Sequence, residues 1–212
     1  MRPLALLHTS PAHVPVFDAL RDEAHPALEL RHFVAEELLE RAREEGPEAV
    51  ADDVRTALDK AVADGAGAVL CTCSTIGAVA EAADAGVPVL RVDRPMAAAA
   101  VAAGPRIVVL ATVESTLGPT VALVEEEAAR AGSPADVRTL LVTGAWDHFA
   151  AGDTDAYVRA VAAAADTVTD ADVIVLAQAS MTPAQHLTTT AVPVLSSPRP
   201  GLAAGAIAAG AA

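Results

Sequence analysis

The segments GVPVLRVDRPMAAAAVAAG (86–104) and AVPVLSSPRPGLAAGAIAAG (191–210) align at a constant spacing of 105 residues: Val87, Pro88, Val89 and Leu90 fall on Val192, Pro193, Val194 and Leu195. Arg94 and Pro95 fall on Arg199 and Pro200. Such a repeat constrains the fold more than composition does, because each copy must form the same supersecondary unit. Carried upstream, the spacing lays AVLCTCSTIG (68–77) on VIVLAQASMT (173–182), which sets Cys73 on Gln178. A spacing of 103 sets LALLHT (4–9) on IVVLAT (107–112), and so Thr9 on Thr112. Matches among alanines carry little weight; the shared V-P-V-L and R-P in one register carry the argument. The chain reads as two homologous halves. The expected domains are residues 1–97 plus 201–212, and residues 98–200.

Each half repeats one plan. Continuous Val, Ile and Leu runs bounded by turn residues predict strands buried on both faces at 4–8, 28–34, 67–72 and 87–92, then at 106–111, 137–143, 173–177 and 192–196. Helical patterns lie between them at 14–24, 47–63, 75–84, 118–131 and 154–167. Pro47 suits a first helical turn, and Asp153 or Thr154 suits an N-cap. Strands alternating with helices predict an α/β fold with one roughly four-stranded parallel sheet per half. In such sheets ligands bind beyond the carboxyl ends of the strands, near helix N-termini. That rule selects HTSP (8–11), CSTIG (73–77), ATVEST (111–116) and QASMTP (178–183). A pseudo-twofold arrangement of the halves would bring the four loops to one site between them.

Composition excludes several partners. The formal charge of −14, with only 14 scattered Lys and Arg, disfavours nucleic acid, whose phosphates need clustered cations. Acidic runs such as 34–46 and 124–132 read as solvated faces. No apolar run approaches the roughly 18 residues of a membrane span, and the amino-terminal stretch lacks the apolar core and cleavage pattern of a signal peptide. A soluble, cytoplasmic protein is expected.

The chain has two cysteines, one residue apart, a spacing too tight for a relaxed disulfide, so reduced thiols are expected. Cys71 lies inside the apolar run, where a thiol behaves as a small hydrophobe. Cys73 opens the loop before STIGAVAEAA, at the start of a helix. There it meets unpaired backbone N–H groups and the positive helix end, a setting that suits a nucleophile or base and equally tolerates an idle loop cysteine. The six histidines form no paired ligand motif, so no metal site is expected. Arg94 and Arg199, being twins, read as repeated packing rather than anion binding. Glu36, Asp147 and His148 follow the second strand of each half and could supply a further acid.

The strand-end TCST (72–75), the duplicated halves and the opening strand ending in HTSP resemble the aspartate/glutamate racemase superfamily, which includes hydantoin racemases, arylmalonate decarboxylases and maleate isomerases. The resemblance implies a cofactor-independent and metal-independent enzyme for a small carboxylic or amino acid, and is compatible with a homodimer. It implies one cysteine from each half on opposite faces of a carbon next to a carboxylate. The first falls on Cys73, followed by Ser74 and Thr75; the second falls on Gln178, followed by Ala179. By the same resemblance the carboxylate is held by the hydroxyls and N–H groups of Thr9, Ser10, Ser74, Thr75, Thr112, Thr116, Ala179 and Ser180. Each hydroxyl can also be an ordinary helix cap.

Gln178 departs from the pattern. Two-base racemisation needs an acid on one face and a base on the other, and an amide does not titrate. A single-thiol decarboxylase, a maleate-type cis–trans isomerase and a carboxylate-binding protein without catalysis stand beside the racemase-like reading.

Overall fold

A computed structural model describes residues 2–210. The chain divides into two compact units: everything up to Val92 together with the segment from Pro198 onward, and Asp93–Ser197. Residues 1, 211 and 212, assigned from sequence to the first domain, lie outside the described residues.

In the first unit, β1 (Leu4–His8), β2 (Leu30–Val34), β3 (Ala68–Cys71) and β4 (Val89–Arg91) form a parallel sheet in the order β2-β1-β3-β4. The inner strands β1 and β3 are buried at every position, which is why they read as unbroken apolar runs; the edges β2 and β4 are only partly buried. Side chains alternate between faces. Ala5, Leu7, Val69 and Cys71 meet α2 (Glu36–Glu45), α3 (Ala51–Ala63) and α4 (Ser74–Ala82) through Leu38, Val54, Leu58 and Ile76. Leu4, Leu6, Ala68 and Leu70 meet Phe17 of α1 (Val14–Ala24), and Leu202 and Ala206 of the last helix of the chain. Each fully buried leucine contributes roughly 2–3 kcal/mol of hydrophobic free energy.

The second unit repeats this order. Its helix α5 (Arg94–Ala103) precedes β5 (Arg106–Ala111), α6 (Leu117–Ala131), β6 (Asp136–Leu141), α7 (Ala145–Ala150), α8 (Thr154–Asp166), β7 (Val173–Leu176) and β8 (Val194–Ser196). The parallel sheet runs β6-β5-β7-β8. One face packs on α5 and α6 through Met96, Ala100, Leu123 and Val124; the other packs on α8 through Tyr157, Val158 and Val161. The chain ends with α9 (Pro198–Ala208), the helix that covers the first unit.

The final helices are therefore exchanged between the repeats. The first repeat ends in α5, which belongs to the second unit, and the second ends in α9, which belongs to the first. The duplicated arginines serve this packing. Arg94 pairs with Glu126 and Glu127 of α6, and Arg199 with Glu23 of α1 at 2.6 Å. No helix among the described residues is long and apolar enough to cross a membrane.

Candidate active site

The repeat places Cys73 and Gln178 at the same structural position. In the first unit Leu7 pairs with Cys71, and in the second Leu110 pairs with Leu176. Two residues further on, past the carboxyl ends of the strands, stand Thr9 beside Cys73 and Thr112 beside Gln178. Both Cys73 and Gln178 are extended residues at the N-cap position of the next helical segment, with φ, ψ of −110°, 118° and −124°, 139°. The segment after Cys73 is α4; the segment after Gln178 is a 3-10 helix, Ala179–His186. Pro183 inside that segment cannot donate the backbone bond that a regular α-helix needs.

Cys73 makes no side-chain capping bond and retains 7% exposure, whereas Cys71 is fully buried beneath it. Neither is in a disulfide. Ser74 and Thr75 form the first turn of α4, and Thr75 is buried. Thr9 is buried. Ser10 accepts from the N–H of Ala12 at 3.4 Å, a weak cap on a short 3-10 turn.

The threonine next to Gln178 is committed. The Oε1 of Gln178 accepts from the Thr112 backbone N–H at 2.7 Å and from the Thr112 hydroxyl at 2.9 Å. A backbone N–H can only donate, so the amide orientation is fixed: the oxygen faces Thr112 and the two Nε2 protons face away from it. Ser180 is bonded to the hydroxyl of Tyr157 at 2.8 Å, and Ala179 is buried. Thr116 is buried at the start of α6, where its carbonyl accepts from the Thr120 hydroxyl.

The two half-sites thus collect the expected residues by unit: Thr9, Ser10, Cys73, Ser74 and Thr75 in one, Thr112, Thr116, Gln178, Ala179 and Ser180 in the other. Glu36, Asp147 and His148 are exposed on helices beyond the second strands. No group of three His, Cys, Asp or Glu among the described residues is arranged to hold a metal ion. Among the described residues, the buried polar side-chain atoms without a hydrogen-bond partner are His13 Nδ1, Ser115 Oγ and Thr182 Oγ1, which lie on segments that follow β1, β5 and β7. Native proteins leave few such atoms, and two of these, on Ser115 and Thr182, fall within the selected loops 111–116 and 178–183.

Several residues escaped the sequence reading. His8, predicted as the last residue of the strand 4–8 and given no role, is the fully buried end of β1. Its Nδ1 is 2.8 Å from the Thr72 hydroxyl, which itself donates to the Leu7 carbonyl, so Nδ1 carries the proton and donates. Its Nε2 then accepts from His32 Nδ1 at 2.8 Å, and His32 Nε2 is 3.3 Å from Asp18 on α1. This chain fixes Thr72, the residue before Cys73. On β4, Arg91 is buried and lies against α4: a Cβ on Gly77 would stand 3.1 Å from the Arg91 Nε. Its second-repeat counterpart is Ser196, so a position that differs between repeats was the available signal.

Burial, reinforced by His32 and His13, pushes His8 down from 6.5 to about 3. Burial lowers His13 as well. Below pH 6.5 the unfolded chain therefore binds protons that the folded chain refuses, so stability declines as pH falls from about 6.5 towards 3. The decline attributable to His8 is up to about 1.4 kcal/mol per pH unit. Urea midpoints measured across this range should fall more steeply for the native protein than for His8→Gln, whose side chain does not titrate; equal slopes would exclude His8 as the source.

Two parallel α/β units with matched polar strand-end loops, one bearing a thiol and the other an amide, make this an internally duplicated α/β protein. The sequence matches the Asp/Glu/hydantoin racemase family over residues 7–204, and the chain belongs to that family. None of the curated proteins matches this chain. Among solved structures, the aspartate racemase of Picrophilus torridus is similar at a TM-score of 0.75 and 14% identity, covering 98% of this chain and 94% of the other. An aspartate racemase homologue from Pyrococcus horikoshii is similar at 0.70 and 15%, covering 99% and 100%. A sulfate-associated arylmalonate decarboxylase variant is similar at 0.64 and 22%, covering 98% and 93%. At these identities the structural likenesses establish the fold.

Proposed function

We propose that the protein is a cofactor-independent, racemase-like isomerase of a small carboxylic or amino acid, with Cys73 as its single proton-transferring or nucleophilic thiol. The observation that carries this reading is the equivalence of Cys73 and Gln178, two N-cap residues in the same strand register, of which one can exchange a proton and the other cannot. The Gln178 amide, with its oxygen turned towards Thr112, offers donors that would stabilise the oxygen of a carboxylate or enediolate. The backbone N–H groups at the start of α4 add an anion-binding contribution that needs no arginine.

A single thiol suffices for protonation of an enediolate or addition to an alkene, whereas racemisation needs a second acid besides it. Decarboxylation and maleate-type cis–trans isomerisation are therefore the second reading, and an arylmalonate decarboxylase is among the proteins of similar fold.

Incubation in deuterated water with aspartate, glutamate, a hydantoin, malonate derivatives and maleate separates these outcomes. Deuterium at the α-carbon with inversion identifies racemisation, with a second acid from another side chain or water. Retention identifies one-base exchange. Carbon dioxide release or fumarate identifies the single-thiol alternatives. Absence of all four reactions, with binding of malonate intact, would replace the enzyme by a carboxylate-binding protein.

A further inference from the structure

Carrying the 103-residue spacing into the helices aligns α3 (Ala51–Ala63) with α8 (Thr154–Asp166) and sets Val54 on Tyr157. Both are fully buried. The repeat with the thiol has an apolar residue there, and the repeat with the amide has a phenol. The two differences are physically linked through one hydrogen-bond chain.

The Tyr157 hydroxyl is 2.8 Å from Ser180 Oγ and 3.3 Å from Thr112 Oγ1. The Thr112 hydroxyl proton is already directed to Gln178 Oε1, an atom that can only accept. Tyr157 can therefore contact Thr112 only as donor. Its single proton has two destinations. Directed to Thr112, it leaves Ser180 donating inward to the phenol, with no proton for an external anion. Directed to Ser180, the nearer oxygen, it frees the Ser180 proton to point outward. The helical ring is clamped meanwhile: Phe149 lies 5.1 Å away by ring centroids, so only the hydroxyl rotor moves.

We infer that Tyr157 is a positioning residue for the second half-site with two alternative states: in the free site its proton goes to Thr112 and holds the Thr112–Gln178 pair, which keeps the amide donors turned outward, and when a carboxylate arrives the proton swings to Ser180 and turns Ser180 into an outward donor. This rests on the proposed role of Gln178 and Ser180 in carboxylate binding. Tyr157 touches no substrate. Hydrogen-bond chains strengthen cooperatively, so an anion that accepts from Ser180 also tightens the Tyr157–Ser180 bond.

The test uses the full chain and Tyr157→Phe, which keeps the ring and removes the hydroxyl. Thr112→Val, which keeps the backbone N–H but removes the hydroxyl link, is the second variant. The first measurement needs no ligand: amide hydrogen exchange at Thr112, whose N–H is bonded to Gln178. Exchange at Thr112 should accelerate roughly tenfold in either variant, with no further gain in the double variant, and should be unchanged in Cys73→Ser. The second measurement is malonate protection of Cys73 against iodoacetamide. The protecting concentration should rise about tenfold in Tyr157→Phe while the unprotected alkylation rate stays at the native value. Native exchange at Thr112 in Tyr157→Phe would overturn the inference. Altered exchange with no malonate protection even in the native protein would leave the positioning role and remove the proposed carboxylate site. Should Tyr157→Phe not fold, Ser180→Ala decides instead: with its nearer acceptor removed the Tyr157 proton must go to Thr112, so exchange at Thr112 should slow, and unchanged exchange would overturn the inference.

Discussion

Cys73→Ala should lower turnover by about 10³-fold, the middle of the range for a positioned acid–base group, whichever of the proposed reactions the protein performs. The thermal midpoint should barely move. Only one sulfur atom is removed, at the rim of the apolar cluster, from a side chain that caps nothing by hydrogen bonding. Cys71→Ala should behave in the opposite sense. Its sulfur is fully buried between β3 and the helices on that face, so the substitution leaves a small void costing about 1 kcal/mol, with turnover within an order of magnitude of native. The pair separates chemistry from packing for two cysteines that sequence composition alone treats alike. Turnover retained in Cys73→Ala would remove the thiol from the mechanism. Cys73→Ser, which keeps the shape but replaces the thiol by a far weaker acid, should resemble the alanine variant.

The elements most legible in the sequence were those whose physics is local. Buried parallel strands must be continuously apolar, and each of the eight predicted runs overlaps a strand, with β1 and β5 at the expected limits and β6 starting one residue earlier, at Asp136. Helix α1 spans the predicted 14–24. Segment 36–45 was harder, because the acidic run taken as a solvated face is itself a helix, α2, that buries only Leu38 and Ala42. Two apolar positions one turn apart give little periodicity to detect. The equivalence of Cys73 and Gln178 was legible because both repeats preserve strand length and register across β3 and β7. The hydrogen-bond chain around Gln178 was not, since its members lie 45 and 66 residues apart in sequence. A lone tyrosine in an alanine-rich helix carries no pattern; only comparison with Val54 singles it out. The hydrogen bonds of His8 were equally illegible, because Thr72 and His32, which satisfy both ring nitrogens and allow full burial, lie 64 and 24 residues away in sequence.

The exchange of final helices places a strict demand on one glycine. As the chain returns to the first unit, the first turns of α9 lie directly on the end of β4. A Cβ built on Gly201 would stand 2.5 Å from both the carbonyl oxygen and the Cγ2 of Val92, and 3.0 Å from its Cα. Two of these atoms are backbone of a residue held by a bond from its N–H to the Cys71 carbonyl, so the strand end cannot rotate away as a side chain would. Gly201→Ala must instead push α9 outward, off Leu4, Leu6 and Leu70, the face it shares with Phe17. The expected cost is about 3 kcal/mol, at the upper end for overpacking a core. For a chain of this size that lowers the thermal midpoint by roughly 6–12 °C. Gly205, four residues on, is a milder case, since the atoms nearest its Cβ position are the methyl ends of Leu4, which can change rotamer. Gly118 in α6 provides the opposite control: nothing lies within 4 Å of its Cβ position, so Gly118→Ala should stabilise by about 0.5–1 kcal/mol through helix propensity alone. The second-repeat origin of α9 makes the contrast specific, because the position aligned with Gly201 in α5 is Met96, a large residue buried without conflict in the second unit. A Gly201→Ala protein with a native thermal midpoint would mean that α9 does not sit on β4 as described, and with it would go the account of how the first sheet is covered.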